Sequence, residues 1–334
     1  VKLVCLFIFL GFGFLTQAGI SLVEKGTFIF SDMADASAAT WIDDKKFVVA
    51  SDEDSVLRIY DIEKPGPPCQ FVDISGFLNV DRDKPETDIE ACTRLGDRIY
   101  FITSHGRNKN GRERVSRERF FAIDVGSTNG NEAFFRMVGK PYTNLLNDLL
   151  NDPELKKFNL AEAAQKAPKS VGGLNIEGLC ASTNRSLLIG FRNPIPEAKA
   201  LIVPMLNPEQ VIQGLHPKFG KPILLDLGGR GIRDMTFWNN KIWICAGPAD
   251  EQSKVPFKLF LWDLADTIEP IEYNFPKGFH AEGLFIWPRK SPCELMVISD
   301  DGTRKIEGKA NKDLPRNRQT FRGIELLLKG NLGE

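Results

Sequence analysis

Residues 87–107 read TDIEACTRLGDRIYFITSHGR. A carboxylate, Glu90, stands at the lip of an apolar run; Gly96-Asp97 then supplies a turn, and a second run closes on His105 and Arg107. Two short runs about such a turn read as a β-hairpin. The pattern recurs as DASAATWIDDKKFVVASDED from residue 35, NIEGLCASTNRSLLIGFRNP from 175, GIRDMTFWNNKIWICAGPAD from 231 and HAEGLFIWPRKSPCELMVISDDG from 280. Each unit has a polar lip, an apolar run, a turn built on Asp, Asn, Gly or Pro, a second run and a polar cluster. Repetition on this scale decides the architecture, because a unit that cannot bury its own faces must stack on its neighbours.

A third run follows each hairpin: VLRIYDI, RFFAIDV, ALIVPML, FKLFLWDL and FRGIELLL. A fourth follows in all but the last: CQFVDIS, AFFRMVG, KPILLDL and IEPIEYNF. The last unit runs out of chain, whereas GTFIF at 26–30 stands unassigned before the first. Five units of four strands, the last completed by the N-terminal strand, describe an all-β, five-bladed β-propeller closed by its own termini. Closure removes the unpaired edges of an open array. The interval between the second and third units is too long by about one helical hairpin of ~30–40 residues. It holds PYTNLLNDLLNDPELKKFNLAEAAQKAPKS, residues 141–170, where Leu145, Leu146, Leu149 and Leu150 recur at helical spacing and Asn151-Asp152-Pro153 opens a second helix. Six blades would result if this insertion hid strands. A smaller helical insert, NPEQVIQGLH from 207, leaves the third unit. Antiparallel pairing places the 141–170 insertion beside the polar lips and the 207 insert on the opposite face.

The lips of all units meet around a propeller's channel. One offset around the ring reads Ser37, Glu90, Glu177, Arg233 and Glu282, and two residues earlier stand Asp35, Asp88, Asn175, Gly231 and His280. The second strands end in Asp52, Glu53 and Asp54; His105 and Arg107; Arg192 and Asn193; and Asp300 with Asp301. Carboxylates crowded into a partly desolvated funnel repel one another and rise in pKa unless cations intervene. Two arrangements meet this demand. A hard divalent ion, Ca²⁺ or Mg²⁺, is held by oxygens of Glu90, Glu177, Glu282, Asp35 and Asp88; or Arg233, Arg192 and Arg107 neutralise the glutamates as a salt-bridge ring. A purely structural alternative has each lip carboxylate accepting backbone N–H bonds from the next blade. A structural tie should repeat in every blade, yet the first unit has Ser37 and the fourth Arg233.

The remaining features bound the function. VKLVCLFIFLGFGFLTQAG carries Lys2, an apolar stretch and Thr16-Gln17-Ala18, the pattern of a secretory signal peptide at 1–18 that leaves 19–334 as the propeller. The expectation is export through the general secretory route to the periplasm or exterior, with no stable membrane span. A formal charge of −1 supplies no field for nucleic acid or anionic lipid. Without Cys5 an odd number of cysteines remains and there is no CxxC pair, against a disulfide framework or zinc site; Cys69 and Cys293 alone stand where they could pair. The loop RNKNGRERVSRER at 107–119 sets six basic residues against Glu113 and Glu118 on the mouth face, where they would steer anions; it lacks aromatics for base stacking. No GxSxG, HExxH, GxxxxGK[ST] or dinucleotide fingerprint is present.

At SDMADASAA (31–39), DEDSVLRIY, SHGRNKNGRER, GLNIEGL, IGFRNPIP, LDLGGRGIRDM and SDDG the chain resembles an uncharacterised bacterial family, domain of unknown function 3616, over roughly residues 31–323. That resemblance implies the fold unit and no activity. The N/D/H-x-Glu-Gly step at Asn175–Gly178 and His280–Gly283 is more distantly similar to secreted phytase-like and esterase-like propellers, which implies metal and phosphate sites at the mouth. Ser37 and Arg233 depart from an all-acidic, multi-calcium ring. The reading is therefore a metal-assisted hydrolase of an anionic (phospho)ester: Glu90, Glu177, Glu282, Asp35 and Asp88 hold the ion, Arg107, Arg192, Asn193 and Arg233 bind the small anionic ligand, and His105 or His280 moves protons. The alternatives are a non-catalytic ligand- or protein-binding propeller and, ranked lower for want of mouth aromatics, glycoside hydrolysis by a carboxylate pair.

Overall fold

In the computed structural model, which describes residues 20–80, 86–127, 133–288 and 293–329, each repeat is a four-stranded antiparallel sheet. There are five such sheets, the blades of a propeller. Their innermost strands are Ala36–Trp41, Ile89–Leu95, Asn175–Ala181, Gly231–Trp238 and Ala281–Ile286. Each packs beside the next, and the fifth returns to the first. Residues 143–174 carry no strand, so the six-bladed alternative does not arise. The expected signal peptide lies outside the described residues; within them no helix is long and apolar enough to cross a membrane.

The fifth sheet shows how the ring closes. Its order from the channel outward is Ala281–Ile286, Glu294–Ser299, Thr320–Lys329 and, last, the N-terminal strand Ser21–Ser31. Hydrophobic clusters fill the gaps between neighbouring blades, and the seam between the last and first blades is the aromatic one. Phe30 of the closing strand meets Phe47 edge-on at 5.1 Å and Phe321 stacked at 5.2 Å, with Tyr60, Phe285 and Trp287 completing the group. Each such pair is worth about 0.5–1.5 kcal/mol beyond its buried area.

The 141–170 insertion packs as a wedge. Its helix Leu145–Asn151 buries Leu145 and Leu149, and Leu155, Leu160 and Ala163 continue the same apolar face into the gap between blades two and three. Asp152 terminates this helix in extended backbone, and its Oδ1 accepts the Glu154 N–H at 2.9 Å; a single 3-10 turn, Lys156–Phe158, follows, and the short helix Leu160–Ala163 starts after Asn159 in the left-handed region. The 207 insert does not stay on the far face. It climbs the flank to meet the insertion, where Tyr142 bonds Asp148 and His216 Nδ1 lies 2.8 Å from Asp148 Oδ1. Gly139, at φ +61°, permits this approach, since a Cβ there would fall 2.0 Å from the Ile212 carbonyl oxygen.

Candidate functional site

Every inner strand breaks register with its partner near its start. The skipped residues are Ser37, Glu90, Glu177, Arg233 and Glu282, the very ring read from the repeats. A β-bulge leaves one residue out of the ladder and re-aims its side chain. Repeated in each blade, it brings these groups together at the mouth, and their charges act on one another.

Three blades compensate themselves. Arg233, buried, places Nε 2.9 Å from Glu177 Oε2 and 3.0 Å from Glu282 Oε2, and its Nη2 bonds Glu282 Oε1. Arg192 Nη1 reaches Glu177 Oε1 at 2.8 Å and its Nε donates to the Pro248 and Ala249 carbonyls. Asn175 adds a 2.6 Å bond to Glu177, and the Phe257 ring lies 5.6 Å from the Arg233 guanidinium. Burial pushes the Glu177 carboxyl up, but the Arg192 and Arg233 guanidiniums outweigh it and hold the group below its usual range. Glu282 shares only Arg233, so burial, with the Glu177 and Asp300 charges, lifts it. The salt-bridge ring is thus realised here, and Glu177 and Glu282 are committed to arginines rather than open to a metal.

The other arc lacks such compensation. Asp35, Asp52 and Glu53 each offer an oxygen within 4.8 Å of the others, and no direct ion pair or hydrogen bond reaches the side chains of Asp35, Asp52 or Glu90 among the described residues. Asp52 Oδ1 is buried without a partner. Burial, followed by the Asp300 charge, pushes Asp35 up to about 7, against the pull of Lys312 and Lys169. Burial followed by Asp300, Asp88 and Asp35 raises Asp52 well above the carboxylate range. Burial followed by Glu177, Asp88 and Asp52 does the same to Glu90. Lys312 Nζ, from the blade-five excursion, sits 3.2 Å from Glu53 Oε1.

Several expected site residues are engaged in local contacts, some at the mouth and some away from it. Arg107 donates to the Ala164 and Gly111 carbonyls and to Gln165, tying its loop to the insertion. Arg117 is the cation that meets Asp88, at 2.9 Å, and Arg119 is spent on backbone carbonyls, which leaves Lys109, Arg112 and Arg114 as the exposed bases of that loop. His105 is buried at φ +53°; its Nδ1 donates to the Thr103 carbonyl at 2.8 Å, and burial pushes it down to about 4, so it stays neutral. It lines a separate cavity of about 210 Å³ beneath the insertion. His280, half-buried, stays at the mouth: its ring lies 6.0 Å from Phe257, the ring that faces Arg233, and its carbonyl accepts from the Asp300 N–H at 2.9 Å. Asn193 grips the Pro168 and Ser170 carbonyls at 2.9 and 2.7 Å. Asp54 is held by Arg58 and Arg316, and Asp301 by Arg322. The blade-to-blade carboxylate tie does exist, one position along: Asp234 accepts from the Met235 and Leu284 N–H groups at 2.8 and 2.7 Å. Cys69 and Cys293 do not pair, both being free thiols. Lys169 and Lys312 escaped the repeat alignment because both are delivered by insertions.

The model of a family described as "Protein of unknown function (DUF3616)" matches residues 127–311. No curated protein matches the sequence. Among solved structures, a glutaminyl cyclase from Myxococcus xanthus is similar at 9% identity and a TM-score of 0.48, over 93% of this chain and 98% of that one. An exo-beta-1,3-galactanase from Clostridium thermocellum is similar at 8% identity and a TM-score of 0.50, over 90% of this chain and 61% of that one. At these identities the likeness is one of fold.

Proposed function

As the chain belongs to the DUF3616 family, whose description supplies no activity, we propose a function from the mouth itself: a divalent-cation-dependent hydrolase of an anionic ester. The observation that carries this reading is the acidic arc, Asp35, Asp52 and Glu53, with carboxylate oxygens close enough to share one ion and a direct cation, Lys312, only on Glu53. An oxygen-only donor set of carboxylates suits Ca²⁺, with Mg²⁺ the alternative. Such an ion, when bound, polarises an ester oxygen and lowers the pKa of water. Export would place the site where extracellular Ca²⁺ modules operate, at affinities of about 10⁻⁴–10⁻³ M.

The chain's own groups divide the remaining work. Glu90, pushed well above the carboxylate range by burial and its acidic neighbours and without a direct partner among the described residues, supplies a proton to a leaving oxygen. It takes the proton-transfer role expected of His105 or His280. Arg192 and Arg233 fix Glu177 and Glu282 and thereby the shape of the mouth. Their pairing with Glu177 and Glu282 argues against a scheme in which they alone grip the ligand; the second reading is a binding propeller without turnover. The test is calcium titration by calorimetry on chelator-stripped protein, with p-nitrophenyl phosphate and p-nitrophenyl acetate turnover measured with and without EDTA. Binding lost in Asp52→Asn together with EDTA-sensitive turnover is the expected result. Binding without turnover leaves the non-catalytic propeller, and absence of binding removes the metal reading.

A further inference from the structure

We propose that the cavity beneath the 141–170 insertion is a second binding site, separate from the acidic arc, that takes a small apolar α-amino acid as its zwitterion. Its volume of about 210 Å³ falls below the ~300–1,000 Å³ of sites for drug-sized ligands and suits a molecule of amino-acid size.

Two walls enclose it. One is the loop that leaves the second strand of blade two. There the His105 N–H donates to the Arg117 carbonyl at 3.0 Å, and the ring Nδ1 donates to the Thr103 carbonyl at 2.8 Å. Nδ1 therefore carries the proton of the neutral ring, and Nε2, on the opposite edge, is a lone-pair acceptor. It is buried and has no partner among the described residues. A buried acceptor left so is costly until a donor reaches it. The other wall is the helix Leu145–Asn151. Leu145 and Leu149 are spent on the core, whereas Leu146 and Leu150, one step round the helix, are only partly buried and with Ala164 make the apolar side of the cavity. Arg107 fastens one wall to the other, donating to the Ala164 carbonyl at 2.8 Å and to Gln165 Oε1 at 2.6 Å.

Charge placement selects the ligand and orients it. Glu118 lines the cavity half-buried, and Glu113 and Arg114 line it from exposed positions. None of these three side chains has a hydrogen bond or ion pair among the described residues. The more buried groups, His105 and Glu118, are thus acceptors, and an unpaired guanidinium stands at the rim. Arg107 and Arg114 balance Glu113 and Glu118, so the lining has no net charge and favours a ligand that carries both signs. The ammonium enters toward Glu118 and His105 Nε2, the carboxylate meets the Arg114 fork, and the side chain lies against Leu146 and Leu150. A metal ion is the poorer match, because among the described residues no third ligating atom joins His105 and Glu118 at ion-sharing distance.

The measurement is calorimetric titration of the whole protein in EDTA, which keeps it independent of the acidic arc. The probes are L-leucine, 4-methylpentanoate, which lacks the ammonium, and 3-methylbutylamine, which lacks the carboxylate. Leucine should bind, with each analogue weaker by about tenfold or more. Glu118→Gln should weaken leucine about tenfold and leave 4-methylpentanoate unchanged, whereas Arg114→Gln, at an exposed position, should weaken leucine and leave 3-methylbutylamine unchanged. His105→Asn should weaken leucine and 3-methylbutylamine together, and Lys109→Gln, on the same loop but outside the cavity, should change nothing. Absence of leucine binding, equal leucine affinity in wild type and Glu118→Gln, or either analogue matching leucine overturns the site, and each of these leaves the reading of the acidic arc standing.

Discussion

Asp35→Asn bears most directly on the acidic arc. The Asp35 carboxylate is 8% exposed, and the Gly302 backbone presses on it so closely that a Cβ there would fall 1.9 Å from its Oδ1. Burial and then Asp300 push it from 3.8 up to about 7. A group with a raised folded-state pKa binds its proton more tightly when folded. In the metal-free protein its ionisation penalty is therefore absent below about pH 4, grows through about pH 7 and is complete above it. At about 1.4 kcal/mol per tenfold change in proton affinity the ceiling is about 4 kcal/mol. Solvent reaching the mouth screens part of this, leaving roughly 2–4 kcal/mol.

Asparagine has the same shape and no charge, so Asp35→Asn should be more stable than wild type by that amount at pH 8 in EDTA. Urea unfolding followed by tryptophan fluorescence reads the difference, which should vanish toward pH 4. Calcium should reverse the order. A ligand at a hundredfold excess over its Kd stabilises by about 2.7 kcal/mol, and only wild type retains the full donor set. A variant equal to or less stable than wild type at pH 8 in EDTA would refute the reasoning, because it would mean that the carboxylate has compensation the geometry does not contain.

Other outcomes follow from the same contacts. Glu177→Gln should lower stability by about 3–5 kcal/mol, since Arg192 and Arg233 lose a buried counter-charge, yet leave the calcium-induced melting shift in place. Arg233→Met should cost about as much, and adding Glu282→Met should recover most of it, a coupling that a double-mutant cycle in urea reads out. Asp234→Asn, which keeps one acceptor for two N–H groups, its own strand's Met235 and the next blade's Leu284, should cost about 1–3 kcal/mol in the same assay. His105, pushed down to about 4, gives stability that is complete above about pH 6.5 and lost as pH falls toward 4. His105→Asn tolerates the left-handed backbone and should lack this loss, about 3 kcal/mol between urea midpoints at pH 7 and pH 4.5.

What the sequence made legible was periodicity. Alternation of apolar runs and turns located five hairpins, and the short run at 26–30 located the closing strand Ser21–Ser31. Aligning the repeats also found the bulged residues, because a bulge conserved in position keeps one offset in register around the ring. Direction was not legible. Arg107 and Arg117 sit ten residues apart on one loop, and only three-dimensional packing sends the first to Ala164 and the second to Asp88. Likewise the 207 insert leaves its strand on the far face, but Gly139 in the outer strand of blade two draws it up the flank. Lys169 and Lys312 lie outside the repeat, so alignment had nothing to say about them.

The ring's two departures from acidity decide where chemistry can occur. At the fourth position, Arg233 lies between Glu177 and Glu282 and neutralises both neighbours. At the first, Ser37 is turned to the Ile89 carbonyl and brings no charge at all. Were every position glutamate, the mouth would repel itself evenly and an ion could settle at its axis. With an arginine at one side and a serine near the other, the deficit is displaced toward blades one, two and five. There Asp35, Asp52, Glu53, Glu90 and Asp300 face one another with lysines only at the edge. An ion bound on the channel axis, held by Glu177 and Glu282, would have to strip them from Arg233 and leave a buried guanidinium unpaired, at a cost of about 3–5 kcal/mol. An off-axis ion on the arc displaces nothing but the exposed Lys312. The fivefold scaffold therefore supports a one-sided site, and its position follows from which blades lack a cation.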